Sequence, residues 1–273
     1  MIRSRHKPLQ PRGRGFTLLE LLVVIAVIGI LASLLLPALG RAKVRVVSAK
    51  CLSNLRQLQL CWQMYVDDHN DAVPPNRSMQ TNGIWRSTAD SWIGESSALY
   101  DTTPRGIENG LLFKYDYNRS VALYHCPADK SRVRSLAGTL LPQLRTRSYS
   151  MSGCVGGNYS TNKEPETARL ASEIQEPASL FVFIDEQEDS IDDAHFLVWR
   201  YPDERWVNLP ADRHGQAGCL SFADGHVEKW KWKWPKRFSP KQSYWKRVEN
   251  AADLADLRRL QGAYRQMASV AEP

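Results

Sequence analysis

One uninterrupted apolar stretch constrains this 273-residue chain more than any other feature of its sequence. From Leu18 to Leu36 the chain runs through nineteen residues whose only charged side chain is Glu20. As a helix this stretch would rise roughly 28 Å, about the thickness of the hydrocarbon core of a bilayer. It therefore predicts a membrane-spanning helix. Its carboxylate, near the start of the stretch, requires a partner, because a charge buried in lipid costs roughly 2.5–3.5 kcal/mol.

Positive charge is concentrated ahead of this stretch. The first fifteen residues carry five Lys or Arg and no acidic residue, which accounts for most of the net charge of +7. Basic residues beside a membrane segment stay on the cytoplasmic side. We therefore expect a single-pass protein of the inner membrane, with its N-terminus inside and the rest of the chain periplasmic or extracellular. The charge distribution gives no firm evidence for binding to nucleic acid.

Helical patterns follow the membrane stretch and recur near the C-terminus. Apolar residues at spacings of three and four predict a stripe along a continuing helix that ends near Asp68. The stripe consists of Val44, Val47, Cys51, Leu55, Leu58, Trp62 and Tyr65. Turn formers and Val73-Pro74-Pro75 then stop the helix. A second, shorter amphipathic helix is expected from about Val248.

Strand signals lie mainly in the C-terminal half, and residues 76–150 are expected to be mostly loops. Leu180–Ile184 and Phe196–Trp199 are short apolar runs. Asp224-Gly225 separates the run Cys219–Ala223 from His226–Trp234. This arrangement predicts a tight β-hairpin in which both turn residues have positive φ.

The second arm of the hairpin alternates tryptophan with lysine. Trp230, Trp232 and Trp234 are expected on one face, because side chains alternate across a strand. That face either packs on the long helix or forms an aromatic and basic strip for contact with glycan, DNA or membrane. The sequence leaves both interpretations open.

An acidic segment, IDEQEDSIDDAH, lies between the two apolar runs. Closely spaced carboxylates in a loop are ligands of the kind that Ca²⁺ takes. The candidate ligands are Asp185, Glu186, Asp189, Asp192 and Asp193. The spacing is not that of an EF-hand, and a solvated acidic loop is the alternative. Calcium is the only cofactor the sequence suggests, and no cofactor is certain.

The five cysteines leave at least one without an intramolecular disulfide partner. Outside the cytoplasm disulfides persist, and Cys126 is a candidate to pair with Cys154 or with Cys51. Buried free thiols are the alternative. Cys126 lies in His-Cys-Pro, which is similar to half of a zinc site, but no Cys-x-x-Cys pair completes it. We therefore do not expect zinc.

The N-terminus resembles that of type IV pilins and type II secretion pseudopilins. The resemblance rests on the basic leader, Gly15, the sequence Phe16-Thr17-Leu18-Leu19-Glu20 and the apolar helix after it. It implies that a prepilin peptidase cuts after Gly15 and that Phe16 is then N-methylated. It also implies that Glu20 pairs with the α-amine of a neighbouring subunit's Phe16. Pro37 falls where the helix of this family often loosens or kinks.

A second resemblance concerns residues 214–225, where His214 is followed after nine residues by Asp224 and Gly225. This H-x9-DG pattern is similar to the C-terminal region of many pilin-like proteins of planctomycetes and verrucomicrobia. The segments NLRQLQLCWQMYVDDHND, YHCPAD and FIDEQEDSIDDAHF are similar to the same group. We expect structural roles for all three residues, with His214 bonding the hairpin and Asp224 setting its turn. No nucleophile or oxyanion-binding device accompanies them.

Together these features predict an α+β, pilin-like fold, with a long transmembrane and amphipathic N-terminal helix packed on an antiparallel β-sheet. The expected divisions are a prepilin leader (1–15), a transmembrane assembly helix (16–39), its amphipathic continuation (40–70) and a head domain (71–273). The expected function is that of a structural subunit, not an enzyme, in a type II secretion pseudopilus or a type IV pilus. The expected partners are a prepilin peptidase, other pilin or pseudopilin subunits, an inner-membrane assembly platform and further copies in a homo-oligomeric filament. The alternative is a membrane-anchored extracytoplasmic glycan-binding or calcium-dependent hydrolase domain.

Overall fold

A computed structural model describes residues 18–116, 119–158, 167–237 and 245–264. The chain divides into two compact units, Met1–Lys43 and Val44–Pro273. The predicted leader and the residues Gly15 and Phe16 lie outside the part of the chain that the structure describes.

Helix α1 spans Leu18–Asp68, close to the predicted bounds. Its first part, within the unit Met1–Lys43, presents apolar side chains that the protein itself leaves uncovered, from Leu18 at 82% exposure to Leu39 at 66%. Pro37 lies within this helix. By length and composition, α1 is the one helix among the described residues that is able to cross a membrane.

The predicted stripe of α1 becomes buried from Cys51 onward. Leu55 and Leu58 are fully buried, whereas Val44, at the start of the stripe, is still 41% exposed. The helix stops where Asn70 and Asp71 adopt positive φ, which L-residues other than Asn and Asp rarely do. The core therefore covers only the last five turns or so of the predicted stripe.

The remaining elements are short, and most belong to the second unit's sheets and hairpins. In chain order the strands are β1 (Ser78–Thr81), β2 (Ile84–Ser87), β3 (Arg132–Arg134), β4 (Leu140–Leu144), β5 (Tyr149–Ser152), β6 (Phe181–Asp185), β7 (His195–Phe196), β8 (Arg205–Trp206), β9 (Ala217–Phe222), β10 (Val227–Lys231) and β11 (Lys246–Arg247). The other helices are α2 (Arg105–Glu108), α3 (Ala251–Tyr264) and three 3₁₀ turns at Phe113–Tyr115, Val121–Tyr124 and Ala171–Glu173.

Five strands form the central sheet in the order β10-β9-β6-β5-β7. Neighbours are antiparallel except for β5 and β7, which run parallel. The α+β prediction is confirmed, although the sheet is mixed rather than purely antiparallel. The run Phe196–Trp199 was predicted as a strand, but β7 is only two residues long, and Val198 makes an isolated bridge to Trp206.

The two faces of the central sheet are covered by different helices. On one face α1 packs through Gln59, which accepts a hydrogen bond from Ser221 of β9. On the other face α3 packs through Tyr264, whose ring centroid lies 5.8 Å from that of Phe181. The sheet is therefore buried on both sides, which explains why all residues of β5, β6 and β9 are buried.

Candidate functional site

The described part of the predicted assembly helix (16–39) starts at Leu18, the first residue of α1. Glu20 lies in that turn on an exposed position of the helix, within an otherwise apolar surface. Pro37 follows in the same helix, where the missing N–H removes one helical hydrogen bond. This segment offers a continuous apolar surface that requires lipid or other helices as its surroundings.

Most of the acidic segment is buried, in contrast to the solvated loop that was the alternative from the sequence. Asp185 and Glu186 are completely buried, and Asp192 and Asp193 are nearly so. Burial, together with the charge of nearby Asp192, raises the pKa of Glu186 to about 8. Glu186 is therefore mainly protonated at neutral pH, which makes it a poor ligand for Ca²⁺.

Each carboxyl group of the segment has its own partner. Asp185 forms an ion pair with Arg213, and Asp189 lies 2.9 Å from Arg134 Nη2. Glu186 Oε1 accepts hydrogen bonds from Ser190 and Asn208. The oxygen Oδ1 of Asp192 accepts the N–H of Asp193, and Oδ1 of Asp193 accepts the N–H of His195. The five predicted ligands do not converge on one point, so calcium binding by the whole set remains a prediction that this geometry does not favour.

Arg147 organises this segment and carries no signal in the sequence pattern. Its fully buried guanidinium donates to the carbonyl of Tyr149 at 2.7 Å and to Ser150 Oγ at 3.0 Å. It also donates to the carbonyls of Asp192 and Asp193. Arg147, which lies just before β5, thus fixes the backbone of the acidic segment, 45 residues further along the chain.

His214 does not contact the hairpin turn with its side chain. Its backbone N–H bonds to the carbonyl of Ala217, but its imidazole Nε2 lies 3.2 Å from Cys126 Sγ and 3.4 Å from Asp185 Oδ2. Burial alone would lower its pKa, but the interactions with Asp185 and Cys126 outweigh burial and raise the pKa to about 9. His214 therefore joins β6 to the loop that carries Cys126.

The turn of the β9–β10 hairpin differs from the predicted two-residue form. Gly225 has φ of +99°, whereas Asp224 is not among the residues with positive φ. Phe222 accepts the N–H of Gly225 and donates its own N–H to the carbonyl of His226. The loop therefore has three residues, a turn followed by one left-handed glycine. Asp224 Oδ1 accepts the N–H of His226 and lies 2.6 Å from Nδ1 of its ring.

The tryptophan face is buried at Trp230 and Trp232, which α3 covers, whereas Trp234, beyond the end of β10, is partly exposed. Trp232 is 1% and Trp230 is 6% exposed, while Lys229 and Lys231 point to solvent. The guanidinium of Arg259 in α3 stacks 3.8 Å from the centroid of Trp230. The tryptophans pack within the protein, but not on the long helix as expected. Ser221 contacts α1, and Trp230 points to the opposite side of the hairpin. The tryptophans therefore lie on the face opposite α1.

All five cysteines are free and buried. Cys154 donates to the carbonyl of Tyr264, so it is not a partner of Cys126. Burial raises the pKa of the Cys154 thiol to about 12. The pKa of Cys126 is also raised, chiefly by its interaction with Cys51 and by burial. A buried, protonated thiol is not a nucleophile, so the contact between Cys126 and His214 does not make a catalytic pair.

Comparison with known proteins supports the interpretation of the N-terminal segment. Residues 11–36 match the family model described as the prokaryotic N-terminal methylation motif. The chain is 44% identical over 59 residues to type II secretion system core protein G of Pectobacterium carotovorum subsp. carotovorum, which covers 22% of this chain and 38% of that protein. It is also 44% identical over 54 residues to the type IV major pilin protein PilA of Myxococcus xanthus, covering 20% of this chain and 24% of that protein.

A longer match covers nearly a third of the chain. The chain is 44% identical over 98 residues to type II secretion system core protein G of Aeromonas hydrophila, covering 30% of this chain and 68% of that protein. The chain spans less than half the length of the Pectobacterium and Escherichia coli proteins, 38% and 47% respectively. No solved structure matches this chain. The match to most of the Aeromonas protein shows that the chain belongs to the family of type II secretion system core protein G.

Proposed function

We propose that this protein is a structural subunit of a type II secretion pseudopilus or a type IV pilus. The observation that carries the proposal is the methylation motif at residues 11–36, which leads into a helix with an uncovered apolar surface. Such a surface is stable in lipid before assembly and against other subunits' helices afterwards. The relatives are a secretion-system core protein and a major pilin, and neither is an enzyme.

The proposed maturation follows from the same segment. The basic leader holds the N-terminus in the cytoplasm, and the chain crosses the inner membrane once with its head outside. A prepilin peptidase cuts after Gly15, and Phe16 becomes the methylated N-terminal residue. An inner-membrane platform then transfers the subunit from lipid into a filament of further copies.

Glu20 is the proposed recognition element for this transfer. A carboxylate in the first turn of an apolar helix is costly in lipid, and the α-amine of another subunit's Phe16 compensates it. Pairing the two charges fixes the axial position of each new subunit, since only one register brings them together. Pro37 lowers the cost of bending the helix as the subunits pack.

The finer assignment to the pilin-like group with the H-x9-DG region is part of the proposal. It is supported by the nine-residue spacing between His214 and Asp224-Gly225 and by the turn that Gly225 makes possible. The rival function, a glycan-binding or calcium-dependent hydrolase domain, has less support. Trp230 and Trp232 are buried, Arg259 of α3 stacks on Trp230, and the carboxylates have separate partners.

A Glu20→Gln variant tests the proposed role of this carboxylate. It keeps the shape and removes the charge, so the peptidase still cuts but the incoming amine has no ionic partner. An unpaired charge costs about 2.5–3.5 kcal/mol in lipid, so we expect more than about a tenfold loss of subunit from sheared filaments. The measurement is the ratio of filament to membrane subunit on immunoblots, in cells that hold the complete assembly machinery.

The matched control is Ser33→Ala in the same helix. Ser33 Oγ bonds the carbonyl of Ile30 within its own helix and carries no charge, so its removal leaves intersubunit charge pairing intact. Wild-type incorporation of the Glu20→Gln subunit, or an equal loss for Ser33→Ala, would remove the proposed role of Glu20.

A further inference from the structure

Four metal-ligating side chains from four separate parts of the second unit meet in its interior. Cys51 comes from α1, Cys126 from the loop after the 3₁₀ turn at Val121–Tyr124, Asp185 from the end of β6, and His214 from the segment before β9. One ligand atom of each lies within 4.8 Å of the others. All four side chains are buried, and none is more than 2% exposed. Within the described ranges no other group of three or more such side chains converges in this way.

The donor set and its spacing fit a tetrahedral divalent ion. Two sulfurs, one imidazole nitrogen and one carboxylate oxygen are ligands that Zn²⁺ accepts in four-coordinate sites. Zinc–ligand bonds of about 2.0–2.3 Å imply tetrahedral edges of roughly 3.6 Å between sulfur and nitrogen and 3.3 Å between nitrogen and oxygen. The structure has 3.2 Å between Cys126 Sγ and His214 Nε2, and 3.4 Å between His214 Nε2 and Asp185 Oδ2.

Neighbouring groups orient the ligand atoms toward this point. Arg213 holds Oδ1 of Asp185 and also lies 3.4 Å from Asp129, which leaves Oδ2 of Asp185 directed at the cluster. This buried Oδ2 accepts no well-aligned hydrogen bond. Tyr149 donates its hydroxyl to Cys51 Sγ at 3.2 Å. In known metal sites, hydrogen bonds from neighbouring groups to the ligating side chains fix the orientation of those ligands.

We propose that Cys51, Cys126, Asp185 and His214 bind one structural Zn²⁺. Four protein ligands leave no open position for a substrate, so the ion would be structural and not catalytic. It would cross-link the buried part of α1 to the sheet and to two loops. The histidine of the H-x9-DG pattern would then be a metal ligand, and its partners would be far away in sequence. The proposal concerns the head alone and does not depend on the assembly of a filament.

Loading of the ion would accompany folding. The ligand atoms are enclosed, and the thiols must release their protons when the metal binds. We therefore expect the full-length chain, expressed in zinc-supplemented medium and purified in detergent without chelator, to retain about one Zn²⁺ per chain. Inductively coupled plasma mass spectrometry measures this content. Cys126→Ser should lose it, whereas the control Cys154→Ser, which removes another buried thiol, should keep it.

Cobalt provides a readout that does not depend on whether a variant folds. Wild-type chain produced with Co²⁺ in place of Zn²⁺ should show thiolate-to-metal charge-transfer absorption and the visible bands of tetrahedral cobalt. A folded wild-type chain without bound metal would overturn the proposal. Equal metal content in Cys126→Ser and wild type would also overturn it, as would a Cys51–Cys126 disulfide in peptide mass spectra of the unreduced protein.

Discussion

Gly156 has no side chain because another stretch of backbone passes directly beside its α-carbon. A β-carbon at this position would lie 2.2 Å from the carbonyl oxygen of Pro74, in the segment that follows α1. The residue also adopts φ of +66° and bonds through its N–H to the carbonyl of Ala168. The glycine-rich sequence around Cys154 is thus a site of close backbone packing against the segment that follows α1.

Gly156→Ala should therefore lower the free energy of unfolding of the head by more than the cost of its left-handed backbone conformation alone. Gly138→Ala is the matched control, because Gly138 has φ of +84° but open space where the β-carbon would lie. The control should cost about 1–2 kcal/mol for its left-handed conformation, and Gly156→Ala roughly 1–3 kcal/mol more for overpacking. Urea unfolding followed by far-ultraviolet circular dichroism measures both. Equal losses would show that the Pro74 contact carries no cost.

At the residue scale, the sequence pattern did not reveal which side chains pair with partners far away along the chain. The acidic segment was interpreted as calcium ligands or as a solvated loop, yet Arg147 and Arg213 fix it in the interior. Neither arginine stands out in the sequence, because ion pairs between distant segments have no spacing rule. The lack of a Cys-x-x-Cys pair argues against zinc in the sequence, although metal ligands need only meet in space.

Among the elements, α3 is held to the sheet by a buried charge cluster as well as by apolar contacts. Lys236 is 2% exposed, and its Nζ lies 2.8 Å from both Asp253 and Asp256 of α3. Asp256 also accepts the N–H groups of Lys233 and Trp234, just after β10. The cation thus compensates two buried carboxylates of the helix that covers the tryptophan face.

Lys236→Gln should release much of this attachment. Leaving two buried carboxylates without their cation costs about 3–5 kcal/mol, whereas Lys231→Gln, at an exposed position of β10, should stay within about 0.5 kcal/mol of wild type. The measurement is the free energy of unfolding from urea titrations followed by tryptophan fluorescence. A loss no larger than that of Lys231→Gln would contradict the proposed role of the cluster.

The elements with a strong period were predictable from the sequence, and those without one were not. Helix α1, strand β6 and the β9–β10 hairpin were found close to their expected positions, because apolar spacing and an Asp-Gly turn specify them locally. Strand β5 was missed because Tyr149–Ser152 alternates Tyr and Met with Ser over only four residues, which is too short to distinguish a strand from a loop. It becomes a strand by pairing with β6 and β7. Its parallel partner β7 is too short to carry a signal.

At the scale of the whole molecule, the chain combines two units that meet different demands. Residues 18–43 present an apolar surface that the protein itself leaves uncovered, while the unit from Val44 onward forms a core of its own. This division agrees with the family assignment, in which the matched motif at residues 11–36 lies in the first unit. The head's buried cysteines and charges lie in the core of the second unit.

The mature N-terminus tests this account most directly. Intact-mass and N-terminal peptide spectra of the full chain, made in cells with an active prepilin peptidase, should show a protein that begins at Phe16 and carries one N-methyl group. The same chain made with a catalytically inactive peptidase should keep its leader. A chain that retains residues 1–15 beside the active peptidase, or that is cut beyond Pro37, would contradict the proposal that this protein matures as a pilin-type subunit.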